Sequence, residues 1–358
     1  MVKFNTILIL LFLSTSVIGQ SKKKLAYQKA VEAISLMDNG KVDESIVLLK
    51  EAKELDNKSY DYPYELAYAY YLKENYSQSV RILEDLKSHK DVNARLFQLL
   101  GNSYDMLEKT KTALSIYEEG LSKFPNAGIL YLEMGNIYYN SENYGKAIRY
   151  YEKGIEVDPK FPSNYYWAAK LYCRSNERIW GVIYGELFMN LEPNTDRTSE
   201  ISELLFTTYK KSLIIKSDSS AAVDFSRAMS IDISKKFKLP FPMIFGLDMT
   251  TSLGLNMFSK DTSISIASLN SVRNNFIGIW YQKKRNKEFP NVLFDFHKKL
   301  ESKKHFESYN YWVFMKGDKE EFIKWKSEHK KEWDSFIKWY SENGLVINSS
   351  KKFHRSQY

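Results

Sequence analysis

The sequence is poor in the residues that build covalent staples and tight turns. One cysteine, Cys173, occurs in 358 residues, so no intrachain disulfide forms and packing alone holds the fold. Fifteen glycines and eight prolines are few for this length, which disfavours an all-β fold with many tight turns. No Gly-x-Ser-x-Gly elbow, Walker loop, Gly-x-Gly-x-x-Gly turn or His-Glu-x-x-His is present. The five histidines, His89, His297, His305, His329 and His354, stand in no zinc spacing. Cys173 beside Arg174 reads as a small hydrophobe in a helix rather than as a nucleophile. The sequence thus offers no catalytic apparatus, no metal site and no cofactor site, which argues against an enzyme.

What is present begins with a targeting segment. Residues 1–19 read as a signal peptide: Lys3, an apolar run from Ile7 to Leu13, then Val17 and Gly19 as small residues before a cut that leaves Gln20 first. The run is too short to span a bilayer, which takes roughly 20 apolar residues. Lys22, Lys23 and Lys24 oppose translocation mildly. No cysteine follows the run, so a bacterial lipid anchor is excluded, and no further transmembrane segment occurs. The expectation is an exported chain, periplasmic or secreted.

Charge is uneven. Residues 1–200 hold 25 Lys+Arg against 27 Asp+Glu, whereas residues 201–358 hold 27 against 17. A basic half can mark an acidic partner or an anionic surface, but a solvated lysine-rich face explains it more simply, and no nucleic acid is expected.

Between residues 26 and 195 the sequence repeats itself every 34 residues. "GNSYDMLEKTKTALSIYEEGLSKFP" (Gly101–Pro125) aligns with "GNIYYNSENYGKAIRYYEKGIEVDP" (Gly135–Pro159). Units start at Ala26, Tyr60, Ala94, Gly128 and Pro162. Their small-residue position is Ala33, Ala67, Gly101, Gly135 and Ala169, and a bulky residue follows three places on at Leu36, Tyr70, Tyr104, Tyr138 and Tyr172. The second small position is Ser45, Ser79, Ala113, Ala147 and Gly181, and the last three units end on Pro125, Pro159 and Pro193. Small residues let two helices approach, and proline ends the second one. "DNGK" at 38–41 and "SENYGK" at 141–146 supply turns. Two departures stand out. The first unit carries Lys29 and Glu32 where others are apolar, as suits an end unit, and the fifth carries Gly185 where the third and fourth have Tyr117 and Tyr151.

This period and these positions resemble the tetratricopeptide repeat, a pair of antiparallel helices that stack into a solenoid. The resemblance implies an all-α, right-handed superhelical solenoid of about five hairpins over 26–195. It also implies that the first helix of each unit lines a concave surface. Carried onto this sequence, its inward positions are Tyr64, Tyr68, Tyr71, Arg95, Gln98, Asn102, Asp105, Asn136, Tyr139, Tyr166, Lys170 and Arg174. Such a groove would be aromatic at one end, amide-lined in the middle and cationic at the other. Asn102 and Asn136 resemble the asparagines with which family members hold a peptide backbone.

Beyond Pro193 the frame fades. Residues 196–215 read as a capping helix, with Ile201, Leu204, Leu205 and Tyr209 on one side. Residues 216–358 form a C-terminal helical region in which 216–262 lack a period and read mostly as loop. From Ser263 helical spacing returns at Ile266, Leu269, Val272, Phe276 and Ile279, and Asp318 with Glu320 and Glu321 marks a helix start. Trp312, Trp325, Trp333 and Trp339 fit a core face better than a sugar platform. The expected function is an exported scaffold or adaptor that binds another protein or peptide in envelope or secreted-protein assembly. The alternative is an enzyme or ligand-binding C-terminal domain recruited through the repeats. A carbohydrate-capturing surface protein is disfavoured by the missing anchor cysteine.

Overall fold

The computed structural model describes residues 4–217, 220–226, 239–257 and 264–358. The repeats are helical hairpins in register with the sequence frame. They are α1 (Phe4–Asp38) with α2 (Val42–Leu55), α3 (Asp61–Leu72) with α4 (Tyr76–Leu86), α5 (Ala94–Met106) with α6 (Thr110–Lys123), α7 (Gly128–Asn140) with α8 (Tyr144–Val157), and α9 (Pro162–Cys173) with α10 (Arg178–Leu191). Packing divides the chain into two compact units, Met1–Met134 and Gly135–Tyr358, with the break inside α7.

The turn inside each hairpin has one recurring geometry. Gly40, Glu74, Glu108 and Glu142 occupy the same place in the first four units, and all have positive φ, between 58° and 75°. Asn75 and Asn143 follow and cap the next helix by accepting from Gln78 N and Lys146 N, each at 3.2 Å. These glutamates sit left-handed at a cost that the two flanking helices sustain.

Helix contact inside a hairpin depends on a matched pair. The small residue of the first helix and the residue sixteen positions later read Ala33 with Leu49, Ala67 with Leu83, Gly101 with Tyr117, Gly135 with Tyr151, and Ala169 with Gly185. A Cβ added at Gly101 would overlap the Tyr117 ring, and one at Gly135 the Tyr151 ring. Alanine with leucine and glycine with tyrosine are two fillings of one space. In the fifth unit both partners are small, and the room beside Gly185 is taken by Leu205 and Ile201 of α11 (Asp196–Ser212). The departure at Gly185 therefore has a packing cause, and that cause is the next helix.

Within Gly135–Tyr358, α10 is buried along Arg178–Met189, apolar on nearly every side. The helix that would face water at the end of a stack is instead enclosed. After α11, β1 (Leu213–Ser217) and β2 (Ser220–Val223) pair antiparallel. Then come α12 (Phe241–Met257), α13 (Ile266–Gln282), the single turn α14 (Arg285–Glu288), α15 (Val292–Ser302), α16 (Phe306–Val313), α17 (Lys319–Glu328) and α18 (Lys330–Asn343).

One expectation needs correction here. The described residues of 216–262 are not mostly loop: they contain the end of β1, all of β2 and the 17 residues of α12. Gly246, Thr250, Thr251 and Gly254 depress local helix propensity in α12. Burial of Phe241, Ile244, Phe245, Met249 and Leu253 outweighs them, and periodicity alone did not weigh that tertiary term. The parts at 218–219, 227–238 and 258–262 lie outside the described residues. The segment opened by Asp318 holds two helices that meet at His329, whose ring stacks on Trp325 at 4.9 Å. The helix start itself is as expected, since Asp318 accepts from Glu321 N at 2.9 Å. Trp312, Trp325 and Trp333 are core residues and Trp339 is half-buried under Lys299.

Candidate functional site

The residues assigned to the inward positions lie on the first helices, except Arg174, which is the C-cap of α9, and each compact unit carries its own set. In Met1–Met134, α3 presents Tyr64, Tyr68 and Tyr71, and α5 presents Arg95, Gln98, Asn102 and Asp105. Tyr64 stacks on Tyr60 at 5.7 Å and Tyr71 meets Tyr76 edge-on at 5.3 Å, which leaves Tyr68 the most open of the three at 39% exposed. Burial, then Glu65, pushes the Tyr64 hydroxyl up to about 12 against the pull of Arg95. Burial also raises Tyr71, helped by Tyr76, Glu133 and Asp105. These hydroxyls stay protonated and act as donors.

The face is more acidic than the sequence implied. Glu133 on α7 accepts from Gln98 Nε2 at 2.7 Å, so the amide expected to be open is engaged. Asn102 and Asn136 are engaged too. Tyr117 OH donates to Asn102 Oδ1, and Tyr151 OH donates to Asn136 Oδ1 at 3.0 Å. Each bond ties the second helix of a hairpin to the first and fixes the amide so that its donor is on the opposite branch. That donor is the group a peptide carbonyl would need.

In Gly135–Tyr358, Tyr139 lies 5.0 Å from the Trp167 ring and 5.5 Å from Tyr144. Tyr166, expected in the groove, is buried instead. Its ring packs on Phe188 and Trp167, and its hydroxyl donates to Glu200. The cationic end is half neutralised. Lys170 Nζ lies 2.7 Å from Glu200 Oε1 and about equally over the Tyr166 and Trp167 rings, at 4.8 and 5.0 Å. Burial opposes the charge on Lys170, but the bonds to Glu200 and Tyr166 outweigh it and raise its pKa. Burial likewise opposes the Glu200 carboxylate, and the Lys170 bond overrides it and lowers the pKa. Arg174 is exposed and remains the outward cation.

Three contributors escaped sequence reasoning. Glu133 and Trp167 occupy the sixth place of their units, next to the fifth place that was considered. Glu200 lies on α11, and extending the 34-residue frame by one unit would have put it at the fifth place.

A second cluster lies deep in Gly135–Tyr358. Glu186 Oε1 on α10 accepts from Arg273 Nη2 on α13 at 2.5 Å and lies 2.5 Å from His297 Nε2 on α15. All three are buried. Burial opposes the Glu186 carboxylate, yet Arg273 and then His297 hold it down at about 2. Burial lowers His297 despite Glu186. These are acid–base residue types, but the void they line, with Tyr209, Phe245 and Phe294, is only about 10 Å³. That is room for a single water. No substrate fits there, so the cluster is a joint between helices. Cys173 is buried as well, and burial pushes its thiol up to about 12, so Arg174 does not activate it.

Among the described residues no group of three His, Cys, Asp or Glu side chains could hold a metal ion. No helix there is long and apolar enough to cross a membrane.

Comparison with known proteins places these hairpins. Residues 129–161 match the model of the tetratricopeptide repeat. No curated protein matches the sequence. Among solved structures, MamA is similar at 19% identity and a TM-score of 0.36, over 45% of this chain and 94% of that one. YrrB, described as a tetratricopeptide-repeat protein with an unusual peptide-binding site, is similar at 21% identity and a TM-score of 0.33, over 51% of this chain and 94% of that one. PilF of Pseudomonas aeruginosa is similar at 16% identity and a TM-score of 0.43, over 53% and 86%. Residues 129–161 are thus matched as a tetratricopeptide repeat, and the neighbouring hairpins share its 34-residue spacing and its helix pairing.

Proposed function

We propose that this chain is an exported, non-enzymatic scaffold that holds a segment of another protein on the first helices of its repeats, in the assembly of envelope or secreted proteins. The observation that carries this reading is the division of labour along those helices. Their small and apolar positions are consumed by helix pairing, while Tyr68, Arg95 and Arg174 remain exposed or largely so. Tyrosine and arginine are the residue types that concentrate binding energy at protein interfaces. YrrB, whose description names a peptide-binding site, is compatible with this use of the repeat.

Affinity capture from the source cells tests it. The variants Tyr68→Ala with Tyr71→Ala, and Arg95→Glu with Arg174→Glu, should each lower recovery of the partner about tenfold relative to wild type, near 1.4 kcal/mol. Undiminished recovery with both variants would remove the first helices as the binding site.

Export rests on the sequence of residues 1–19. Mass spectrometry of the native protein should find Gln20 at the N-terminus; an intact Met1 would make the segment an anchor.

One observation favours the second reading. An open groove of about 430 Å³ runs beside α15, lined by Asn291, Asp295, Phe296, Lys299, Val346 and Lys351 among others. Its size suits a small molecule. A thermal-shift screen of small anions and metabolites that raises the melting temperature in wild type but not in Lys299→Glu would favour a ligand-binding C-terminal region.

A further inference from the structure

The face of α12 turned away from its core is open and carries two large apolar side chains. Leu247 is 50% exposed and Leu255 is 52% exposed, and Thr251 between them is exposed as well. These three span an arc of about 80° on the helix. Gly254 borders the stripe and Gly246 lies about 80° further round the same side; a Cβ built on either meets nothing within 4 Å, so no other part of the described chain covers that side.

A row of cations flanks that stripe. Asp248 follows Leu247 and lies about 20° of helical rotation beyond Leu255. It is wholly buried, and it is reached by Lys283 Nζ at 2.7 Å and Arg285 Nε at 3.4 Å. Both come from the sequence "KKRNK", Lys283–Lys287, which runs from the end of α13 into α14. Lys284 and Lys287 in the same run are exposed and have no ion pair among the described residues. The only acid of that run's helix, Glu288, lies 3.6 Å from Arg285.

We infer that the α12 face and the Lys283–Lys287 run form a docking surface for an anionic lipid bilayer. Exposed leucines beside exposed lysines are the two signals that peripheral membrane attachment requires. The apolar groups enter the acyl boundary, and the cations meet headgroup phosphates. Charge complementarity selects this occupant over a second copy of the chain. An antiparallel two-fold pairing of α12 faces would bring two identical basic rows to the same side, whereas a phosphatidylglycerol surface neutralises them. The excess of Lys+Arg over Asp+Glu in residues 201–358, 27 against 17, acts in the same sense at longer range.

The test is vesicle flotation of the full chain. Pure phosphatidylcholine vesicles measure whatever the apolar N-terminal segment contributes, and equal mixtures with phosphatidylglycerol measure the rest. The wild-type chain should prefer the anionic vesicles and leave them at molar salt. Lys284→Glu with Lys287→Glu should lose that preference about tenfold or more, and Leu247→Ser with Leu255→Ser should lose it by a similar factor. Lys324→Glu with Lys326→Glu, on another helix, should retain it. Wild-type binding without preference for phosphatidylglycerol, or undiminished binding by either of the first two variants, overturns the inference. All the substituted side chains in those two variants are exposed, and unchanged melting temperatures would confirm that lost binding is a surface effect.

Discussion

Replacing Glu186 with alanine is expected to lower the unfolding free energy by about 3–5 kcal/mol, the cost typical of breaking a buried ion pair. Glu186 Oε1 is the common acceptor for Arg273 and His297, each 2.5 Å away, and Arg273 is 3% exposed. Removing the carboxylate strands a permanent cation among the rings of Phe314, Phe306 and Tyr209. Those ring faces offset part of the loss, but not the desolvation of a guanidinium whose Nη1 already lacks a hydrogen-bond partner. Urea denaturation of the two proteins at neutral pH measures the difference.

The same cluster sets the acid limb of stability. His297 has a folded pKa below its ordinary 6.5. The unfolded chain therefore takes up that proton first, and stability falls as pH drops below about 6.5. Glu186 has a folded pKa of about 2 against an ordinary 4.5, so its contribution is complete above that ordinary value and is lost as pH falls from it towards 2. Wild-type stability should decline gently below pH 6.5 and more steeply below pH 4.5, as read from urea midpoints. In Glu186→Ala the steeper limb should weaken. A limb of unchanged steepness would place the responsible carboxylates elsewhere.

Gly101→Ala should cost about 1–3 kcal/mol through overpacking, although alanine favours helix, and Gly101→Leu or Gly135→Leu should cost at least as much. The added Cβ overlaps the Tyr117 ring, and Tyr117 is 1% exposed, so its ring has little room to retreat. Combining Gly101→Ala with Tyr117→Leu recreates the pairing that Ala67 and Leu83 already make in the second unit. The double variant should be less destabilised than the sum of the singles by about 1 kcal/mol or more, the coupling expected for residues in contact. Thermal melts of the four proteins close the cycle. Additive losses would mean that the two positions do not share one space. The hydrogen bond from Tyr117 to Asn102 is lost in the rescue, so recovery should be incomplete.

The repeats were legible in the sequence because their information is local. A 34-residue period, a small residue on each helix and a terminal proline act within one hairpin, and each hairpin meets only its neighbours. Even the oddity at Gly185 was visible as a departure from the frame. The partner of that glycine was not, because Leu205 and Ile201 belong to a helix outside the frame. The exposure of the positions assigned as inward was partly legible. That of Tyr68, Arg95 and Arg174 could be read from their position in the unit. That Tyr166 would be buried and Lys170 held by Glu200 could not, since both facts depend on α11.

The sequence by itself determined the helical hairpins, their number, their turns and the small-residue contacts that pair them. These follow from backbone propensity and from steric limits that neighbouring residues impose on one another. Tertiary structure alone decided that α10 would be enclosed, that residues 241–257 would be helical despite their glycines and threonines, and that Glu186, Arg273 and His297 would meet. The last three come from helices 87 and 111 positions apart along the chain. No local signal marks such a meeting, because a charged residue on a helix looks the same in sequence whether water or another charge neutralises it. Only the packing of α10 against α13 and α15 removes the water, and that desolvation turns three ordinary side chains into one coupled joint.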